Sequence, residues 1–112
     1  MARTLFVDPG LMRDLAVLEE LTETSDGMGG AQVDWAPLRS LSIRVEPVSA
    51  RRFERFEQAQ ADIRLRVFCR KVEEVRRGCR FRLDQRLLFV ESVHDPDESG
   101  RYLLCLCREE TG

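Results

Sequence analysis

I-R-L-R-V-F-C-R, Ile63–Arg70, decides the fold of this chain. Successive side chains of a strand point to opposite faces. Here Ile63, Leu65, Val67 and Cys69 fall on one face, and Arg64, Arg66, Phe68 and Arg70 on the other. That period of two is a strand signal. The last regular stretch, Arg101–Arg108, puts Tyr102, Leu104 and Leu106 on one face and Leu103, Cys105 and Cys107 on the other. Both faces are apolar, so it reads as a strand covered on two sides. Together they predict a mainly all-β fold, a small antiparallel β-barrel or two-sheet sandwich of about six to seven short strands.

The neighbouring segments extend this pattern. Asp95–Gly100 (D-P-D-E-S-G) is a turn before the last strand. Cys79–Leu83 and Leu87–His94 flank Asp84-Gln85-Arg86, which reads as a tight hairpin connection. Lys71–Gly78 is a charged loop. Leu41–Val48 alternates Leu41, Ile43 and Val45 with Ser42, Arg44 and Glu46, a half-buried strand ended by Pro47. Ala31–Leu38, with Val33 and Trp35, reads as another strand, and Pro37 places an edge or a strand end there. Ser25–Gly30 is a glycine turn. Arg13–Thr24 is ambiguous. Leu15, Val17 and Leu21 share an alternating face with Arg13, Glu19 and Glu23, but L-M-R-D-L-A-V-L-E-E-L also fits helical spacing. Residues 1–12 form an N-terminal arm or leading turn.

Ser49–Ala61 (S-A-R-R-F-E-R-F-E-Q-A-Q-A) lacks β-branched residues and follows a Ser cap candidate. It reads as an inserted loop or short helix. On a helix Phe53 and Phe56 would share a face, with Arg51, Arg52 and Arg55 around the rest.

With 112 residues, the chain is expected to be a single domain, 1–112. The net charge of −2 hides an asymmetry. Residues 1–50 carry 4 basic and 8 acidic side chains, residues 51–86 carry 12 and 6, and residues 87–112 carry 2 and 6. The basic middle either pairs with acidic neighbours on strand faces or meets a polyanion or an acidic partner. No apolar run reaches the roughly 18 residues of a membrane helix, so no membrane partner is expected. Met1–Gly10 has no apolar core of a secretory signal, and a cytoplasmic site of synthesis is expected.

The chain offers little chemistry. Cys69, Cys105 and Cys107 lie in apolar strand patterns, and all four cysteines, Cys79 included, are read as buried reduced thiols. Cys105 and Cys107 make a C-x-C pair, but a zinc site needs more ligands at better spacing, and His94 is the sole histidine. Asp95, Asp97 and Glu98 do not match a calcium loop. Gly27, Gly29 and Gly30 precede no phosphate-loop Lys. Ser49 and Cys79 have no identifiable base beside them. No catalytic, cofactor-binding or metal residue is assigned, and no cofactor is expected. Trp35 reads as a core or interface anchor.

The order of these pieces resembles one family. T-E-T-S-D-G-M-G-G (Thr22–Gly30), Trp35, the V-E-P-V-S-A-R-R run of Val45–Arg52, Gln58–Ala61, Ile63–Arg70 and the F-V-E-S-V-H-D-P-D run of Phe89–Asp97 follow one another as in phage head–tail joining proteins. These are the head-closure (stopper) connectors, and gene transfer agents use similar parts. The likeness spans residues 13–108. Arg51–Phe56 (R-R-F-E-R-F) is more basic and aromatic than the family pattern, and Met1–Met12 precedes its usual start. The resemblance favours a strand over a helix at Arg13–Thr24. It implies a non-enzymatic, homo-oligomeric ring in the neck of a virion or phage-like particle, assembled in the bacterial cytoplasm. That ring would lie between portal and adaptor proteins on the head side and a tail-terminator or tail-completion protein on the tail side. Ser49–Ala61 would be the channel-side insertion, with Arg51, Arg52 and Arg55 touching packaged DNA without reading its sequence. Phe53, Phe56 and Trp35 are interface candidates. The alternatives are a tail-terminator or tail-completion ring protein, or a small OB-like nucleic-acid-binding barrel. The last would need exposed aromatics interleaved with arginines.

Overall fold

A computed structural model describes residues 8–48 and 63–110. Six antiparallel strands form a closed barrel: β1 (Asp14–Ser25), β2 (Ala31–Pro47), β3 (Ile63–Arg70), β4 (Arg80–Leu83), β5 (Arg86–His94) and β6 (Tyr102–Glu110). Around the barrel the order is β1-β2-β3-β6-β5-β4, and β4 pairs back onto β1. Closure leaves the barrel's core stretch without a free sheet edge.

Alternation fills the interior. Ala16 and Leu18, Leu41 and Ile43, Leu65, Val67 and Cys69, Phe81, Leu88 and Val90, and Leu103, Cys105 and Cys107 pack as one buried cluster. Phe81 is the largest fully buried side chain. All four cysteines are buried and free. Burial pushes the Cys107 thiol up to about 12. Cys105 is also raised, first by its hydrogen bond with Cys69 and then by burial.

Arg13–Thr24 resolves as a strand, because pairing with both β2 and β4 outweighs the local helical spacing. The two stretches read as Ala31–Leu38 and Leu41–Val48 are one continuous strand of 17 residues. Pro37 is accommodated inside it at a bulge: Leu18 pairs with Arg39 but Glu19 with Pro37. There β2 pairs only with β1, since β3 pairs with Ile43–Pro47. A proline is tolerated at such a place. β6 has Leu103, Cys105 and Cys107 inside the barrel. On its outer face Tyr102 and Leu104 are half-buried by Met12 and Phe68. Met12 reaches them from a 3-10 turn at Pro9–Leu11, capped by Asp8. Of the expected N-terminal arm, Met12 is therefore docked on the barrel, while residues 8–11 stay exposed.

The barrel has two distinct ends. At one, Val72 and Val75 of the Lys71–Gly78 loop pack against the core, and Arg76 reaches Glu20. At the other, Arg86 grips the buried Glu109 with two hydrogen bonds, 2.7 and 3.0 Å. That carboxylate holds the Arg86 guanidinium above its ordinary value. The chain leaves β2 at this second end and re-enters at Ile63, where the Val48 N–H donates to the Arg64 carbonyl. The inserted segment at Ser49–Ala61 lies outside the described residues.

Candidate assembly surface

β1 and β2 run on past the barrel as a hairpin. Its tip is tied by Asp26, whose Oδ1 accepts from the Met28 N–H at 2.8 Å and the Gly30 N–H at 3.1 Å. Gly27 and Gly29 take positive φ there. At Gly30 a Cβ would stand 2.6 Å from Asp26 Oδ2, so a larger residue there would push the Asp26 carboxylate aside.

The hairpin has unlike faces. Leu21 pairs with Trp35 and Glu23 with Val33, so these side chains share one face. Leu15 and Val17 continue that face down the outside of the barrel. Glu20, Thr22 and Asp34 occupy the opposite one. Leu15 is 67% exposed, Val33 53% and Leu21 50%, well above the fraction left by ordinary core packing. The face of β1 richer in large apolar residues thus points outward, while Ala16 and Leu18 fill the core. Met28 at the tip is also exposed.

Beside this face lies a belt across four strands. Glu19 of β1 is paired with Arg80 of β4, Arg80 with Phe89 of β5, and Phe89 with Arg108 of β6. Glu19 is buried and accepts from Arg80 Nε at 2.7 Å and Arg82 Nε at 3.1 Å. The Arg80 guanidinium lies 4.2 Å from the Trp35 ring centre and 5.8 Å from that of Phe89. Trp35 meets Phe89 edge to face at 5.7 Å. Arg108 lies 5.3 Å from Phe89 on its other flank and pairs with Glu91, as does Arg64. The ladder fixes Trp35 and Phe89 in place through cation–π and edge contacts.

Of the sequence candidates, Trp35 is at the surface, half-buried in this ladder, so it anchors the root of the hairpin and not the core. Arg51, Arg52, Arg55, Phe53 and Phe56 lie outside the described residues. Sequence reasoning missed Arg80, Phe89 and Arg108 as a group. One signal for part of it was available: a two-residue turn at Asp84-Gln85 sets Arg80 opposite Phe89. The OB-like alternative needs exposed aromatics among arginines, but Phe68, between Arg66 and Arg70, is buried under Met12, and arginines already occupy positions over Trp35 and Phe89. Asp95 and Asp97 accept backbone N–H groups of their own turn. A hydrogen bond from the Ser99 side chain, followed by the Ser99 backbone N–H, holds the Asp97 carboxyl below its usual range. His94 shares a hydrogen bond with Ser92. Among the described residues there is no cluster of three metal-ligating side chains, and no helix long and apolar enough to cross a membrane.

The sequence profile of the phage head completion protein family matches residues 7–110. The chain belongs to that family. This head completion protein is also similar in fold to a chain in the virion of a native gene transfer agent particle. That likeness has 27% identity and a TM-score of 0.69, covering 88% of this chain and 94% of that one. Protein SF1141 from Shigella flexneri 2a gives a TM-score of 0.69 at 23% identity, covering 92% of this chain and 96% of that one, and bears on the fold alone. No curated protein sequence is significantly similar. The role that follows from the family is structural, in the phage head.

Proposed function

We propose that this head completion protein is a head-closure connector. Copies form a ring beneath the portal and adaptor proteins, retain packaged DNA and give the tail its attachment platform. Family membership across residues 7–110 carries the reading. The barrel supports it with an outward apolar face that a lone subunit would leave in water.

The DNA contact is assigned to Arg51, Arg52 and Arg55. These cations belong to a 14-residue segment, 49–62, whose flanks Val48 and Ile63 meet at the barrel end away from the hairpin. A few screened charges bind DNA weakly at physiological salt. A ring repeats them around one axis, so the summed contact becomes strong and salt-sensitive. Phe53 and Phe56 would pack this segment against a neighbour, and Trp35 would brace the hairpin.

The test replaces Arg51, Arg52 and Arg55 together by Glu. The subunit should keep its far-UV spectrum and thermal midpoint, while particles carrying it lose DNA to nuclease or fail to join tails. Particles that retain DNA and deliver it normally would refute the channel role.

A further inference from the structure

We infer that the hairpin's apolar face docks onto the outer face of β3 and β6 of a second copy of this chain, so that neighbours join head to tail. The inference rests on the ring reading above and names the surfaces that would build it.

Three observations carry it. The first is the exposed apolar face itself: Leu21 and Val33, with Trp35 held rigidly behind them by Arg80 and Phe89. A preorganised aromatic flanked by exposed aliphatics is the composition of an interface centre. The second is charge. Glu23 shares the hairpin's apolar face and Asp26 its tip, and residues 18–38 hold no base. The receiving face carries Arg66 and Arg70 of β3 with Lys71 and Arg101 at its end, while Arg64 and Arg108 there are paired with Glu91. Half-buried Leu106 lies among those bases, beside Tyr102 and Leu104, which Met12 and Phe68 partly cover, so the receiving face also offers apolar area. The third is placement. In the order β1-β2-β3-β6-β5-β4, β6 lies three strands from β1 in either direction, across the barrel. Two unlike patches on one subunit make a heterologous contact, which builds a ring where the rotation closes. Complementary charge steers the pairing and fixes its register.

The test is site-specific photo-crosslinking in assembled particles. A photoreactive phenylalanine analogue replaces Val33 in one variant and Leu21 in another; both positions are exposed, so at least one variant should fold. Mass spectrometry of the crosslinked peptides should find residues 63–71 or 101–108 of a second copy. A crosslink to a different particle protein, to another region of a second copy, or to nothing overturns the inference. A solution arm guards against a silent reagent. Mixing the Leu21→Asp/Val33→Asp variant with a Leu104→Asp/Leu106→Asp variant should give a species of two subunits and no larger one, because only one good junction remains. Larger assemblies from that mixture, or none where the unmodified protein assembles, also overturn it. Particles whose neck holds no copy of the chain would instead defeat the head-closure reading, with a distinct signature.

Discussion

Glu19→Gln should destabilise the barrel markedly. Glu19 is 6% exposed and receives Nε–H groups from both Arg80 and Arg82. The change keeps volume but removes the charge that both guanidiniums face. Breaking a buried ion pair on one side costs about 3–5 kcal/mol. Two features reduce that here. Arg82 has 45% of its side chain in solvent and can be hydrated, and Arg80 keeps its contact with the Trp35 ring. A loss of about 2–3 kcal/mol remains after that discount. For a domain of this size that is a fall of about 8–12 °C in thermal midpoint. Urea titration and a thermal scan of the purified subunit measure it. Replacing both partners, Glu19→Leu with Arg80→Met, should recover most of the loss, since no buried charge is left alone. A Glu19→Gln midpoint within about 2 °C of the unmodified protein would refute the idea that this carboxylate ties β1 to β4.

The core, the hairpin tip and the thiols give three further predictions. Phe81→Ala should cost about 3–5 kcal/mol, read by urea titration, because Phe81 is fully buried at the barrel centre. Gly30→Ala should leave the thermal midpoint within a few degrees but speed proteolysis at residues 26–30, because its Cβ collides with Asp26. A thiol-specific reagent should label the native protein slowly and find four thiols after denaturation. The Cys107 thiol is raised on folding from 9.0 to about 12. Its stabilising contribution is therefore complete below pH 9 and is lost as pH rises towards about 12. Stability against urea should fall across that alkaline window, and Cys107→Ser should flatten the fall.

Much of the barrel was legible because its strands carry a strong period of two. Ile63–Arg70 and the hairpin around Asp84-Gln85-Arg86 could be read from residues alone, although Arg86 opens β5 and leaves a two-residue turn. β1 could not: its helical spacing is a local signal, whereas its strand state depends on β2 and on β4, more than 50 residues away. The split of β2 at Pro37 was misread because proline normally ends a strand, and only the bulge opposite Glu19 shows how it is absorbed. Trp35 read from sequence as a core or interface anchor, and its setting beside Arg80 needed the closure of β4 onto β1. The exposed face of β1 was visible as a pattern, but pattern alone does not say which face turns inward. Arg51, Arg52 and Arg55 rest on sequence and resemblance.

The central claim is that this head completion protein closes the head. Its most direct test is the DNA content of particles made without it, measured as nuclease-resistant DNA per head, with tails counted by electron microscopy. The account predicts heads that lose their DNA and carry no tails, both restored when the unmodified chain is supplied. Tailed particles with a full complement of protected DNA would contradict it.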